Sequence, residues 1–358
     1  MYVSKIMTTH RIAVIAGDGI GTEVIPAGVA VLEAAARGSG VTLDFTELPW
    51  GCEYFLKHQR MMDEDGMARL AAFDAIYLGA IGAPSVPDRV TADLLLRIRQ
   101  RFDQYVNLRP MRLLAGLSSP LANRGPADID IVCVRENSEG EYSGVGGRIR
   151  VGTPHEVAQQ TGVFTRNGIE RIIRYGFEIA SKRPRKMLAS ATKSNALAFS
   201  MVFWDEVAEI VRKDYPSVQY QKYHVDALAA RMVTHPHTID VIVASNMFGD
   251  ILTDVGSAIS GSLGIAPGAN INPERRYPSM FEPIHGSAPD IAGKGIANPI
   301  GAIWAGALML DHLGHRDLHD RVVGAIERVV ANSKVRTPDL GGTANTQQLT
   351  DAIRSELG

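Results

Sequence analysis

The chain has 358 residues, 45% of them hydrophobic and 21% charged, enough to bury a large core without a disulfide or a metal, and a length that suggests about two domains. Lys and Arg number 37 against 39 Asp and Glu, a formal net charge of −2, which argues against a dedicated nucleic-acid binder with its basic excess. The two cysteines, Cys52 and Cys133, cannot build a disulfide scaffold and fit a reducing cytoplasm.

Residues 1–10 read as a short polar leader with Lys5 and no apolar stretch, unlike a signal peptide. Short apolar runs at 12–16, 75–78, 129–134, 187–189 and 241–244 predict strands, and amphipathic stretches at 23–36, 92–105, 168–181 and 201–213 predict helices. Strands alternating with helices predict an α/β protein with a largely parallel sheet, whose ligands bind outside the carboxyl ends of the strands. The longest near-apolar run, 300–310, is too short to span a bilayer of ~30 Å, so no membrane partner is expected. No repeat or low-complexity linker marks a domain boundary.

The first strand runs into Gly17-Asp18-Gly19-Ile20-Gly21, which invites a dinucleotide-fingerprint reading. Thr22 stands where the third glycine belongs, although Glu47 sits near the place of a ribose-binding acid. A tight turn with Asp18 at its apex is the plainer reading, with close backbone approach to a ligand still open. Arg97, Arg99, Arg101 and Arg109 follow within 94–110. Arg97 and Arg101 share one helix face and read as solvated; Arg99 points elsewhere, and Arg109, before Pro110, reads as extended. Arg135 ends an apolar strand, where anion binding and a solvated face with surface salt bridges weigh about equally; guanidinium groups bind carboxylates bidentately and keep their charge.

Tyr142 follows as a residue able to donate a proton, and Lys193, just after the run 187–189, as a base if desolvated. The basic run 182–186 reads as a solvated loop, and His235 with His237 makes a poor zinc site. Asp250 and Asp254 are spaced i,i+4 and so share a helix face; their repulsion calls for compensation, for which Mg²⁺ or Mn²⁺ is the natural candidate. A helix N-terminus accommodates Asp250 through its dipole, but Asp254 less well. Asp226, after the β-like stretch 218–225, is a candidate third oxygen ligand.

Several segments occur in a telling order: Gly17-Asp18-Gly19-Ile20-Gly21, Asn107-Leu108-Arg109-Pro110, Val134-Arg135-Glu136-Asn137-Ser138-Glu139-Gly140-Glu141-Tyr142, Thr192-Lys193-Ser194-Asn195, Asn246-Met247-Phe248-Gly249-Asp250-Ile251-Leu252-Thr253-Asp254 and Glu282-Pro283-Ile284-His285-Gly286-Ser287-Ala288-Pro289-Asp290. Through them the chain resembles the β-decarboxylating dehydrogenases, the isocitrate/isopropylmalate dehydrogenase family, over nearly all of its length after residue 10. A finer likeness to the branch acting on tartrate and D-malate rests on Phe102-Asp103-Gln104-Tyr105-Val106-Asn107, Ile271-Asn272-Pro273-Glu274-Arg275 and Ile303-Trp304-Ala305-Gly306.

The resemblance implies an α/β, isopropylmalate dehydrogenase-like two-domain fold with a large mixed, mainly parallel sheet, and not a Rossmann fold. Residues 1–104 plus 261–358 would form the large, cofactor-binding domain, and 105–260 the small domain of dimerisation and metal binding. A cytoplasmic homodimer with shared active sites is implied, Lys193 and Asp226 serving the partner's site. The implied reaction is NAD-dependent oxidation and β-decarboxylation of a small 2-hydroxy dicarboxylate: D-malate to pyruvate and CO2, and tartrate.

By the same resemblance, Arg99, Arg109 and Arg135 would bind the substrate carboxylates. Asp226, Asp250 and Asp254 would hold Mg²⁺ or Mn²⁺, with K⁺ as a candidate further cation. Lys193, helped by Asp226, would be the base and Tyr142 the acid. His285, Gly286, Ser287, Ala288, Asp290 and Asn298 would bind NAD; the acid at Asp290 suits a free ribose 2′-hydroxyl and repels a 2′-phosphate. Leu95 and Leu96 match the leucines with which isopropylmalate dehydrogenases grip an isopropyl group, so 3-isopropylmalate is the alternative substrate.

Overall fold

The computed structural model describes residues 7–358, so residues 1–6 of the expected leader lie outside the described residues; Thr8, Thr9 and His10 already belong to the first strand. Among the described residues the chain folds into two compact units, one of residues 7–104, 113–126 and 260–358, the other of 105–112 and 127–259. The family resemblance implies a middle domain unbroken from 105 to 260. Residues 113–126 cluster instead with the first unit, where Gly116 lies against the backbone of Val330 and Ala331 and its carbonyl accepts from Arg336 Nη2 at 2.8 Å.

The first unit opens with β1 (Thr8–Gly17), α1 (Gly21–Ala36), β2 (Val41–Glu47), α2 (Cys52–His58), α3 (Gly66–Leu70), β3 (Ala75–Ala80) and α4 (Asp88–Arg101). The chain then builds the second unit: β4 (Val106–Arg112), β5 (Asp130–Glu136), β6 (Gly140–Ile149), β7 (Val157–Val163), α5 (Arg166–Lys182), β8 (Met187–Thr192), α6 (Ser200–Val211), β9 (Gln219–His224), α7 (Val225–Thr234), β10 (Val241–Ala244) and α8 (Asn246–Ile259). It returns to the first with β11 (Pro267–Ile271), β12 (Ser279–Pro283), α9 (Ile300–His312), α10 (Arg316–Asn332) and α11 (Thr346–Ser355).

In the first unit the strand order is β2-β1-β3-β12-β11, parallel except for the β11–β12 pair. In the second it is β4-β5-β10-β8-β9, parallel except for β4–β5. Both sets are thus mixed and mainly parallel. Every residue of β3 and β10 is buried, as continuous apolar runs in strands covered on both faces require. Residues 12–15 of β1 are buried for the same reason. Helix α9 is apolar all round and buried at Ile300 to Leu310, so the run read as too short for a membrane is a core helix. Among the described residues no helix is long and apolar enough to cross a membrane. Helix α5 is amphipathic, with Ile169, Ile172, Ile173, Gly176, Phe177 and Ala180 facing inward at helical spacing.

Helix α4 begins and ends four residues before the predicted 92–105. Pro87 supplies its extended N-cap, and Asp103 turns the chain with φ 43° before buried Gln104. Strands β6 and β7 form a separate, exposed two-stranded ribbon.

Candidate active site

Two strands set the first part of the site. In the antiparallel β4–β5 register Asn107 faces Arg135 and Arg109 faces Cys133, so Arg109 and Arg135 project from the same face. Both guanidinium-bearing residues are buried, at 8% and 3% exposure, a placement charged groups take only with partners. The partner is helix α8, which packs on these strands. Arg135 Nη1 donates to Asp250 Oδ1 at 2.6 Å, and Arg109 Nη1 donates to the same oxygen at 3.4 Å and to Thr253 Oγ1 at 2.7 Å. Asn246 clamps the other edge of Arg135: its Oδ1 accepts from Nε at 3.1 Å and Nη2 at 2.7 Å, and its carbonyl from Nε at 2.8 Å. Gly249 makes room for this, since a Cβ there would stand 2.6 Å from Arg135 Cγ.

Tyr142, on β6, donates its hydroxyl to Asp250 Oδ2 at 3.3 Å, and the Arg135 guanidinium lies 5.8 Å from its ring centre. Burial, and then the negative charge of Asp250, hold the Tyr142 hydroxyl above its ordinary pKa, so it keeps its proton. Asp254, one turn beyond Asp250, is exposed and makes no ion pair among the described residues. The turn before β6 is shaped by buried Glu136, whose carboxylate accepts from Ser138 N, Ser138 Oγ and Glu139 N.

A second grouping stands apart in the same unit. Lys193 follows β8 and Asp226 opens α7, and Lys193 Nζ donates to Asp226 Oδ1 at 2.7 Å. That hydrogen bond holds the Asp226 carboxyl below its usual range. The structure does not bring Asp226 to Asp250 and Asp254 within one chain: among the described residues there is no group of three side chains able to hold a metal. Asp250 and Asp254 alone still fit Mg²⁺ or Mn²⁺, hard cations that accept one or two carboxylates and keep water on the remaining positions.

In the first unit, Arg99 of α4 donates from Nη2 to Glu282 Oε1 at 2.8 Å, and its Nε is buried without a partner among the described residues. Glu282, on β12, also accepts from Asn270 Nδ2 at 2.7 Å. Leu95, one turn before Arg99, packs on the core cluster around Leu94 and Ile98. The loop of His285, Gly286, Ser287, Ala288 and Asp290 follows β12. Ala288 has φ 42°, a left-handed conformation rare for alanine, and its carbonyl accepts from Ile291 N and Ala292 N at 3.1 Å. His285 Nδ1 lies 3.1 Å from the Gly286 carbonyl, while Nε2 is buried without a partner among the described residues, and burial lowers the ring's basicity. A neutral imidazole with one unused nitrogen fits a cofactor loop that hydrogen-bonds its ligand. Asp290 is exposed.

The Gly17–Gly21 turn is adjacent to this loop. Ile20 N donates to the Ser287 carbonyl at 2.9 Å, and a Cβ on Gly19 (φ 53°) would stand 2.0 Å from that oxygen. The glycines therefore admit the loop's backbone. Asp18 pins the turn by accepting from Cys52 N and Gly82 N, each at 2.9 Å, and Glu23 accepts from Gly293 N at 2.6 Å. Asn298 is engaged structurally: Oδ1 accepts from Ile300 N, at the start of α9, at 3.0 Å and Nδ2 donates to Asp339 at 2.9 Å.

The plainer reading holds for Arg97, which pairs with Asp93 on the surface at 2.8 Å, and for Arg101, which is exposed. The basic run is more than the solvated loop expected: half-buried Arg183 and Arg185 pair with buried Asp240, because a carboxylate taken out of water needs a cation. Both thiols are buried and pushed up to about 12, chiefly by burial, so neither is a nucleophile. Asn246 and Glu282 were not singled out as site residues by the sequence. Their only signal was membership of the segments around Asp250 and His285.

These arginines, carboxylates and tyrosine on a mixed α/β scaffold define a class. The chain belongs to the isocitrate/isopropylmalate dehydrogenase family, which it matches over residues 11–353. Its curated relatives are decarboxylating dehydrogenases. It is 55% identical over 355 residues to the D-malate dehydrogenase [decarboxylating] of Escherichia coli (strain K12), covering 97% of this chain and 98% of that one. It is 53% identical over 358 residues to the tartrate dehydrogenase/decarboxylase of Pseudomonas putida, covering 98% of each. The fold is that of the isocitrate dehydrogenase from Methylococcus capsulatus, with TM-score 0.87 and 34% identity over 97% of this chain and 99% of that one.

Proposed function

We propose that this protein oxidises and decarboxylates D-malate to pyruvate and CO2, and acts on tartrate, with NAD as oxidant and Mg²⁺ or Mn²⁺ as metal. The observation that carries the reading is the carboxylate of Asp250 seated on Arg135 and Arg109. These guanidinium groups, fixed by Asn246 and Thr253, already bind one carboxylate and suit those of a hydroxy diacid.

Arg99, with its unused Nε, and Leu95 complete the substrate residues. Asp250 and Asp254 hold the metal, together with Asp226 of a second copy of the chain. His285, Gly286, Ser287, Ala288, Asp290 and Asn298 form the NAD loop, making the first unit the cofactor domain and the second the metal domain. When bound, the metal supplies Lewis acidity and the nicotinamide an acceptor for two electrons.

Lys193 of a second copy of the chain, hydrogen-bonded to that copy's Asp226, takes the C2 hydroxyl proton when its Nζ is in the neutral form, as that carbon becomes a ketone. The bond from C3 to its carboxylate then breaks, CO2 leaves, and Tyr142 Oη delivers a proton to C3. The working unit is a cytoplasmic homodimer, supported by exposed apolar residues on the second unit: Phe199 at 92%, Ile251 at 54%, and Val145, Ile149 and Val157 on the β6–β7 ribbon. K⁺ is a candidate further cation.

A second reading, 3-isopropylmalate dehydrogenase, is favoured by the apolar Leu95 one turn from Arg99. The experiment is NADH formation from D-malate with Mn²⁺. NADH appearing together with pyruvate supports the proposal; CO2 released with no NADH would make the protein a redox-neutral lyase instead.

A further inference from the structure

Helix α8 carries Asn246, Asp250 and Asp254, so whatever fixes its first turn fixes the spacing of the carboxylates from β5 and β6. The first amides of a helix have no partner inside it and must find one outside. At α8 the partner comes from another element. Met247 N donates to Glu141 Oε2 at 3.3 Å, and Ser245 Oγ donates to Glu141 Oε1 at 3.2 Å. Ser245 Oγ in turn accepts from Phe248 N at 3.5 Å, and Asn246 Nδ2 donates to the Glu139 carbonyl at 3.1 Å. A carboxylate here also meets the positive end of the helix dipole.

Glu141 immediately precedes Tyr142 on β6, so one residue couples the strand of the proton donor to the helix of the metal carboxylates. We propose that Glu141 is a positioning residue, clamping the start of α8 to β6 so that Asp250, Asp254 and the Tyr142 hydroxyl hold one geometry for the divalent cation. This rests on the reading of Asp250 and Asp254 as metal ligands. Both carboxylate oxygens of Glu141 are engaged by Ser245 Oγ and Met247 N, so in this proposal it acts through the placement of α8.

The test is a titration of the full-length protein with Mn²⁺, free metal being read by electron paramagnetic resonance. Glu141→Ala weakens Mn²⁺ binding about tenfold, the usual effect of removing an outer-shell partner of a metal site. Its far-UV circular dichroism and NAD affinity stay as in the unaltered protein. Glu141→Gln, which keeps an acceptor for Met247 N, binds within about threefold of the unaltered protein. Ser245→Ala removes half of the clamp, leaves Glu141 in place, and weakens binding about threefold should the alanine variant not fold.

Two results overturn the proposal: Glu141→Ala binding Mn²⁺ as tightly as the unaltered protein, or Glu141→Gln losing as much as Glu141→Ala. Asp254→Asn separates the layers. If it loses Mn²⁺ while Glu141→Ala does not, only the positioning role falls; if it binds normally, the metal reading falls with it.

Discussion

The charged cluster of the second unit and the proposed cofactor loop of the first are built by opposite means. Arg109, Arg135, Asp250 and Tyr142 hold one another through side chains and full charges, with a carboxylate already seated on the guanidinium groups. The loop from His285 to Asp290 is held by main chain: Ile20 N on the Ser287 carbonyl, a left-handed Ala288, and a glycine that leaves room. Substitutions in the first region should act through charge and chemistry, and those in the second through backbone shape. The two should therefore separate in which kinetic constant they move.

The largest effect is expected at the proposed base. Lys193→Met should lower kcat about 10³-fold while the dissociation constant for D-malate moves only a few-fold, checked by single-turnover kinetics beside calorimetry. Turnover unchanged in that variant would remove Lys193 from the mechanism. Arg135→Gln comes next, lowering kcat/KM for D-malate about 10²-fold with KM for NAD unmoved, because a charged hydrogen-bonding clamp is lost. An equal rise in both KM values would erase the division between the regions.

Gly19→Ala should do the reverse. Its Cβ would stand 2.0 Å from the Ser287 carbonyl, so the loop must shift; KM for NAD rises about tenfold and KM for D-malate holds. An unaltered NAD constant would show that the turn does not support the loop.

The smallest effect on turnover belongs to His312, at the end of α9 and in neither region. Burial lowers its pKa from 6.5 to about 4, with Arg275 adding to the shift. The unfolded state takes a proton near 6.5 and the folded state only near about 4, so stability present above pH 6.5 is lost as pH falls through that window. Partial exposure reduces the effect to about 2 kcal/mol. His312→Leu should flatten the fall in melting temperature between pH 7 and pH 4.5 without changing kcat at pH 7.

Much of this was legible in the sequence because burial leaves a strong signature. The runs in β1, β3 and β10 are apolar throughout, and the structure covers both faces of those strands. The ribbon β6–β7 carries no apolar signal: beyond buried Gly140, its glycines and glutamines are exposed. Asp250 and Asp254 could be paired by helical spacing alone, and Arg97 with Arg101 set aside by the same rule. Thr22 already sets the turn at Gly17–Gly21 apart from a Rossmann fingerprint, but its work, admitting the Ser287 backbone, depends on a segment about 270 residues away. Glu282 on Arg99 and Glu141 on Met247 were invisible for that reason. Such partners are chosen by sheet order, and no local spacing encodes them.

The most direct test of the account is kcat/KM for NADH formation with D-malate, tartrate and 3-isopropylmalate, measured with Mn²⁺ and again after chelation. The account predicts metal-dependent turnover with D-malate and tartrate, and for D-malate a kcat/KM above that for 3-isopropylmalate. A preference of about 100-fold or more for 3-isopropylmalate, or turnover that survives chelation, would contradict it.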